Sequence, residues 1–246
     1  MRKKKERFFL EINNRKVPVE FTWERRRNVR FAFGQKAILV RFPLVLDRNQ
    51  ERRHLQRLRA WVEQHMAKQN GLLDHLAGKN YKTGDQIQVG NRTYELKIQQ
   101  EDRKSISAKQ IDGIIHIKWP QTADELAIAQ KTKRLLSKVI GQDFLPEIRQ
   151  RVEAINRKHF KKTIKDIHLR YHSSSWGKCS ASGEIILSTR LLFAPEEVID
   201  YVIIHELAHL EVFDHSPKFW NLVAKAMPTH KEKQAWLREH YFRCDF

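Results

Sequence analysis

The residues best placed to do chemistry lie in one short run: His205, Glu206, His209 and, six positions later, His215. Helical residues four apart share a face, so His205 and His209 can aim two imidazoles at one cation. Glu206 is rotated off that face, within reach of a water on the cation but badly placed to be a ligand. Zinc favours nitrogen donors in a tetrahedral site, and catalytic sites supply three protein ligands and leave one position open. Bound zinc makes water acidic enough for a carboxylate to take its proton during attack on a carbonyl. His215 is the natural third ligand. In a continuing helix it would stand about 240° round from His209, so it can join them only if the helix ends and the chain turns back. Asp214 and Ser216 are turn formers, and Pro217 disfavours helix at Ser216.

The element that must carry this motif reads as a buried helix. Val198, Val202, His205 and His209 form one stripe, with Ile199, Ile203 and Leu210 beside it. Pro195 suits the first turn, and Glu196 and Glu197 suit the positive end of the helix dipole. The competing reading is two buried histidines satisfied by backbone, with a surface glutamate. Around the motif, Trp176, Gly177 and Lys178 are expected at a strand edge facing substrate. Lys178 is either a charge for an oxyanion or an exposed strand lysine. Cys179 is either a fourth ligand or a small buried residue. Packing is expected of Tyr201 and of Phe219-Trp220, and a surface position of His172, His230 and His240.

The whole chain bounds the partners. Its 246 residues carry 47 Lys and Arg against 29 Asp and Glu, a net +18. Such a field attracts nucleotides, nucleic acid, acidic lipid or acidic substrates, and the charge reads as spread along the chain more than concentrated in one arm. Two cysteines make no disulfide framework and fit a reducing compartment. No run is long enough for a membrane span, and Phe8-Phe9-Leu10 is too short for a signal core. A cytoplasmic protein is expected, with no membrane partner.

In chain order, the fold class expected is α+β. Residues 1–122 read as a β-rich region with one helix. Strands are expected over 8–12, 16–22, 29–33, 37–42, 94–98 and 114–119, and a helix over 47–68. The run from Arg25 to Arg30 is densely basic: a phosphate binder or a solvated turn. Residues 123–163 read as a helical connector that Gly141 and Pro146 break in two. Residues 164–246 read as a minimal metallohydrolase domain, with a small antiparallel sheet beside the histidine helix. A sheet edge there could hold an extended peptide. No internal repeat and no low-complexity linker is evident.

Ser175-Trp176-Gly177-Lys178-Cys179-Ser180, the stretch Gly183 to Ser188, Pro195, Tyr201 to Leu210 and His215 to Trp220 together resemble the YgjP-like metallopeptidase domain, of the zincin class and related to the SprT-like and WLM peptidases. The resemblance is close over the last eighty or so residues and one of layout before them. It implies zinc on His205, His209 and His215 with Glu206 as general base. The spacing also matches the metzincin motif, but Val212 stands where that motif has glycine, which argues against that group.

Three functions follow. The first is a zinc-dependent hydrolase, most plainly a metallopeptidase acting on a peptide or protein. A metal-dependent nucleoside triphosphate hydrolase is the alternative, with the segments 25–30 and 52–59 binding phosphates; a nucleic-acid-associated peptidase is its variant. The third is a binding module with structural zinc, which would need a fourth side chain, from Cys179 or Asp214.

Overall fold

Asn13 and Asn14 both take positive φ, as do Asp112 and Gly113, and paired left-handed residues make the two-residue turn that suits a twisted hairpin. The first turn joins β1 (Lys4–Ile12) to β2 (Arg15–Glu24). The second joins β7 (Ser107–Ile111) to β8 (Ile114–Pro120). The computed structural model describes residues 4–34, 37–68, 71–77, 79, 81–121 and 125–246, and the chain divides into two compact units, 1–79 and 80–246.

The first unit is a four-stranded sheet followed by helices. Its order is β1-β2-β4-β3, with β3 at Arg30–Phe33 and β4 at Ile38–Pro43. On β2, Val17, Val19 and Phe21 alternate into the core, and Ile38, Val40 and Phe42 do so on β4. Helix α1 (Arg48–Lys68) buries Leu58 and Val62 and stacks Trp61 on Phe33, with ring centroids 4.4 Å apart. A short α2 (Leu72–Ala77) adds Leu72 and Leu76.

The second unit opens with the same sheet. Here β5 (Gln86–Val89), β6 (Arg92–Glu101), β7 and β8 stand in the order β5-β6-β8-β7. Both sheets are two antiparallel hairpins joined by a central parallel pair. A constant shift of 77 residues maps one register onto the other. Ile12↔Arg15 becomes Val89↔Arg92, Val19↔Ile38 becomes Leu96↔Ile115, and Phe33↔Ile38 becomes Gln110↔Ile115. Ion pairs repeat as well. Glu24 accepts from Arg26 and pairs with Arg41, and Glu101 pairs with Arg103 and Lys118. The chain therefore contains an internal repeat, contrary to the sequence expectation. It is masked because the two copies share few identities, among them Arg15/Arg92, Glu24/Glu101, Arg26/Arg103 and Pro43/Pro120.

From β8 onward the second unit builds its own half. Helix α3 (Glu125–His159) runs unbroken through Gly141 and Pro146, where those residues predict a break. Glycine at 141 serves close packing: a Cβ there would lie 2.8 Å from Thr189 Cγ2. Strands β9 (Asp166–Arg170), β10 (Gly177–Cys179) and β11 (Glu184–Ser188) form a three-stranded sheet, followed by a 3-10 turn (Thr189–Phe193) and helices α4 (Glu196–His209), α5 (Pro217–Ala226) and α6 (His230–Glu239). This sheet is mixed: β10 pairs antiparallel with β11, while β9 pairs parallel with it. The long excursion through residues 171–183 carries the chain back to start β11 alongside β9, which a hairpin could not do.

The expected boundaries at 122/123 and 163/164 do not match the division at 79/80. Tyr94, Leu96, Ile115 and Ile117 of the second β copy share one buried core with Leu136, Ile140, Leu187, Val198 and Leu207, so the β5–β8 sheet, α3 and the histidine helix form one body. Nor is the charge evenly spread. Residues 1–79 hold 20 Lys and Arg against 8 Asp and Glu, a net +12 of the +18.

Candidate metal centre

Helix α4 is short and almost wholly buried: Val198, Ile199, Tyr201, Val202, Ile203, Ile204, Glu206, Leu207 and Ala208 are all inside. Such a helix is held by packing rather than by propensity, so the side chains it presents are fixed. It ends at His209. Leu210 N–H donates to the Leu207 carbonyl and Val212 N–H to that of Ala208. Asp214 Oδ1 then accepts from Ser216 N–H at 3.1 Å, and Pro217 opens α5. This is the turn that the Asp-His-Ser-Pro run predicts, and it returns His215 to the other two histidines.

His205, His209 and His215 offer ligand nitrogens that all lie within 4.8 Å of one another, the only such group among the described residues. Neither Cys179 nor Asp214 belongs to it. His205 Nε2 and His215 Nε2 are 3.2 Å apart. A tetrahedral zinc with Zn–N bonds of about 2.0–2.1 Å separates neighbouring nitrogens by roughly 3.3 Å, so the trio fits the ion. His209 Nδ1–H donates to the Val212 carbonyl at 3.1 Å, which fixes its tautomer and leaves Nε2 to the cation. Among the described residues His205 Nδ1 is buried with no partner, and its Nε2 has another imidazole as its only polar contact. The protein alone satisfies this histidine poorly. Phe219, fully buried, lies beneath all three rings at centroid distances of 4.9, 4.5 and 4.8 Å, and Trp220 stacks on His215.

The electrostatics suit a cation. Burial lowers the His205 pKa to about 3, with further lowering by His209 and His215. Burial also lowers His209. Both imidazoles are neutral at neutral pH, the form that binds metal. Burial raises Glu206 to about 8. No described cation pairs with it, so a positive ion at the histidines would favour its carboxylate form.

Glu206 is held by the sheet edge. A Cβ on Gly177 would lie 2.7 Å from both Cγ and Cδ of Glu206, and nearer still to Oε1. Only glycine lets β10 pass so close. The strand expected to face substrate thus sits on the expected base. Beside it, Lys178 is exposed, which is its plainer reading. Cys179 is half-buried, its thiol pushed up to about 11 by burial and by Glu206. Tyr201 is buried with its ring edge toward His205, a packing role as expected. The surface assignments fail. His230 is buried and stacks on Trp220, His240 stacks on Trp236 at 4.2 Å, and His172 is half-buried.

Sequence reasoning missed Arg190. It is wholly buried. Its Nε–H donates to the Cys244 carbonyl at 2.7 Å, and its terminal nitrogens donate to the carbonyls of Ser173 and Tyr241. The guanidinium lies over Trp176 and Tyr241 at 4.7 and 4.3 Å. It thereby ties the loop leading into Gly177 to residues 241–244. An arginine inside the apolar run 185–193 is the signal that could have found it.

The chain is similar to known proteins. Over 142 residues the chain is 25% identical to the UTP pyrophosphatase of Escherichia coli K12, covering 56% of this chain and 83% of that one. Among solved structures, the zymogen of the Pyrococcus abyssi metallopeptidase abylysin is 28% identical, with a TM-score of 0.34; the likeness covers 37% of this chain and 90% of that one. The zymogen of Methanocaldococcus jannaschii jannalysin is 20% identical, with a TM-score of 0.33, and covers 37% and 93%. Residues 27–240, most of the chain and all of the histidine centre, match the YgjP-like metallopeptidase domain, and the chain belongs to that family.

Proposed function

We propose that the protein is a zinc-dependent peptidase in which His205, His209 and His215 hold the metal and Glu206 is the general base. The observation that carries the reading is the buried carboxylate of Glu206, one residue from a metal-binding imidazole and pressed against the sheet edge at Gly177. Bound zinc would supply Lewis acidity toward a carbonyl oxygen and acidity to a water. The Glu206 carboxylate takes a proton from the attacking water and returns it to the leaving amine. Among the described residues strand β10 pairs only with β11, and its other edge can accept an extended peptide by main-chain hydrogen bonds. Gly177 keeps that backbone and the carboxylate in contact, and Arg190 holds the preceding loop. The absence of a fourth side chain from the histidine cluster, among the described residues, favours a catalytic over a structural metal.

A second reading has one specific observation behind it. The Escherichia coli relative is described as a UTP pyrophosphatase, and nucleoside triphosphate hydrolysis could use the same zinc and the same base. Casein and UTP, each offered to the zinc-loaded wild type and to Glu206→Gln, separate the two. Release of peptides by the wild type alone supports the peptidase. Release of pyrophosphate without peptides supports the second reading. Undiminished turnover by the variant would remove Glu206 from its role.

A further inference from the structure

The two basic segments of the first unit, separate in sequence, meet in space. Arg25, Arg26 and Arg27, in the loop after β2, line one cleft of about 990 Å³ together with Arg53 and Arg57 on α1. Five guanidinium groups line it and no carboxylate does. Arg26 pairs with Glu24. Among the described residues the other four arginines make no ion pair, although each stands at a position where one would relieve their mutual repulsion. Arg53 and Arg57 are one helical turn apart, about 6 Å, so they reach separate anionic groups. His54, between them on α1, turns inward against Phe42 with its Nδ1 buried and unpartnered.

The repeat sharpens the point. A shift of 77 residues carries Arg25 to Asp102, Arg26 to Arg103 and Arg27 to Lys104. The ion pair within each copy is kept, Arg26 with Glu24 and Arg103 with Glu101. What differs is the unpaired charge around it. A loop that only had to close the sheet would manage with the composition of the second copy; the first copy has added cations and placed a second row on α1.

The geometry points to a nucleic-acid strand as the ligand of this cleft. Arginine binds phosphate through two parallel hydrogen bonds, stacks on planar bases and is more weakly hydrated than lysine, and every cation lining the cleft is arginine. Val29 and Val45 also line the cleft, Val45 at 90% exposure, and offer apolar surface to sugars and base faces. The cleft is open, and small ligands are held by sites that enclose most of their surface. A strand instead accumulates many modest phosphate contacts. Arginines from two separated segments line one open cleft, which lets a single strand meet several of them.

The test is fluorescence anisotropy of the full chain with a labelled 20-nucleotide single-stranded RNA over a range of salt, in three forms: wild type; Arg25→Gln, Arg27→Gln, Arg53→Gln and Arg57→Gln together; and Lys97→Gln, Lys104→Gln, Lys109→Gln and Lys131→Gln together, which removes equal charge from exposed positions of the second unit. The arginine variant should bind at least about tenfold more weakly, with a log–log salt slope shallower by about 3. The lysine variant should stay within about threefold. Equal losses in both would mean a diffuse field and no site. Displacement of the RNA by polyglutamate at equal charge would mean an acidic-protein site, and displacement by UTP at stoichiometric concentration would mean a mononucleotide site. Either overturns the proposal. All four replaced arginines are exposed, and melting curves check the fold. Should the quadruple variant unfold, Arg53→Gln/Arg57→Gln alone must still flatten the slope by about 1.4.

Discussion

The two copies of the four-stranded module have the same strand order, the same register and the same glutamate-centred ion pairs, yet they serve different ends. In the second copy the sheet is a support. Its buried residues join the core that also holds the histidine helix, its loop after β6 carries Asp102 beside Arg103 and Lys104, a net +1 against +3 in the first copy, and Arg92 donates to the Asp143 carboxylate on α3 at 3.0 Å. In the first copy Arg15, at the equivalent position, binds Asp74 on α2, but the loop after β2 and the face of α1 beside it are stacked with unpaired arginine. Topology is retained because the ladder and the buried alternation impose it. Function is set by what the loops and the following helices add.

The largest effect that would break this contrast lies at the metal centre. Glu206→Gln should retain zinc and lose about 10³-fold in hydrolysis, the upper range for removal of a positioned base. Turnover within tenfold of wild type would place the base elsewhere. Next in size is Arg190→Met. It leaves the carbonyls of Ser173, Tyr241 and Cys244 without their donor and should cost roughly 4 kcal/mol in urea unfolding. A loss below about 1 kcal/mol would show that residues 241–244 are not held by it.

A smaller effect is expected from Gly177→Ala. It should lower turnover about tenfold to a hundredfold with zinc content unchanged, because the new methyl meets the Glu206 side chain. Unchanged turnover would mean the edge strand can yield. Smaller again is a pH effect on the metal-free protein. Glu206 titrates near 8 when folded and near 4.5 otherwise, so folded protein holds its proton longer and stability falls as pH rises through that window. His205, lowered to about 3, works in the opposite sense below pH 6.5 and offsets it there. From pH 6.5 to 8 the Glu206 contribution stands alone and should remove about 2 kcal/mol. Zinc should abolish that slope, and a slope that persists with zinc would mean the carboxylate does not sense the ion. The smallest effect compares the copies directly. Glu24→Gln and Glu101→Gln should each cost about 0.5–1 kcal/mol, similar in size because each glutamate pairs with two cations at matching positions. A severalfold difference would mean the repeated pairs carry unequal loads.

The histidine cluster was legible in the sequence because its geometry is local. Helical spacing joins His205 to His209, and the turn that returns His215 is written in Asp214, Ser216 and Pro217. Six of the eight strands of the two modules were legible from alternation and turn residues; β5 and β7 were not. What escaped needs contacts between distant segments. Gly177 reads only as part of a strand edge facing substrate until Glu206 is seen against it. Gly141 and Pro146 read as breakers because nothing local reveals that α3 is held along its length by packing. The parallel pairing of β9 with β11 depends on where a long loop returns. The repeat is hidden because a buried strand position accepts Val, Leu, Ile or Tyr alike, so register is conserved where identity is not.

The central claim is that three histidines on α4 and the turn after it hold one metal ion. Zinc content of the purified chain, measured by elemental analysis for wild type, His215→Ala and Glu206→Gln side by side, tests it most directly. The arrangement predicts about one zinc per chain in wild type and in Glu206→Gln, and a clear loss in His215→Ala, since a site with two imidazoles left cannot keep its affinity. Full zinc in His215→Ala would contradict the three-histidine centre and move the third ligand elsewhere.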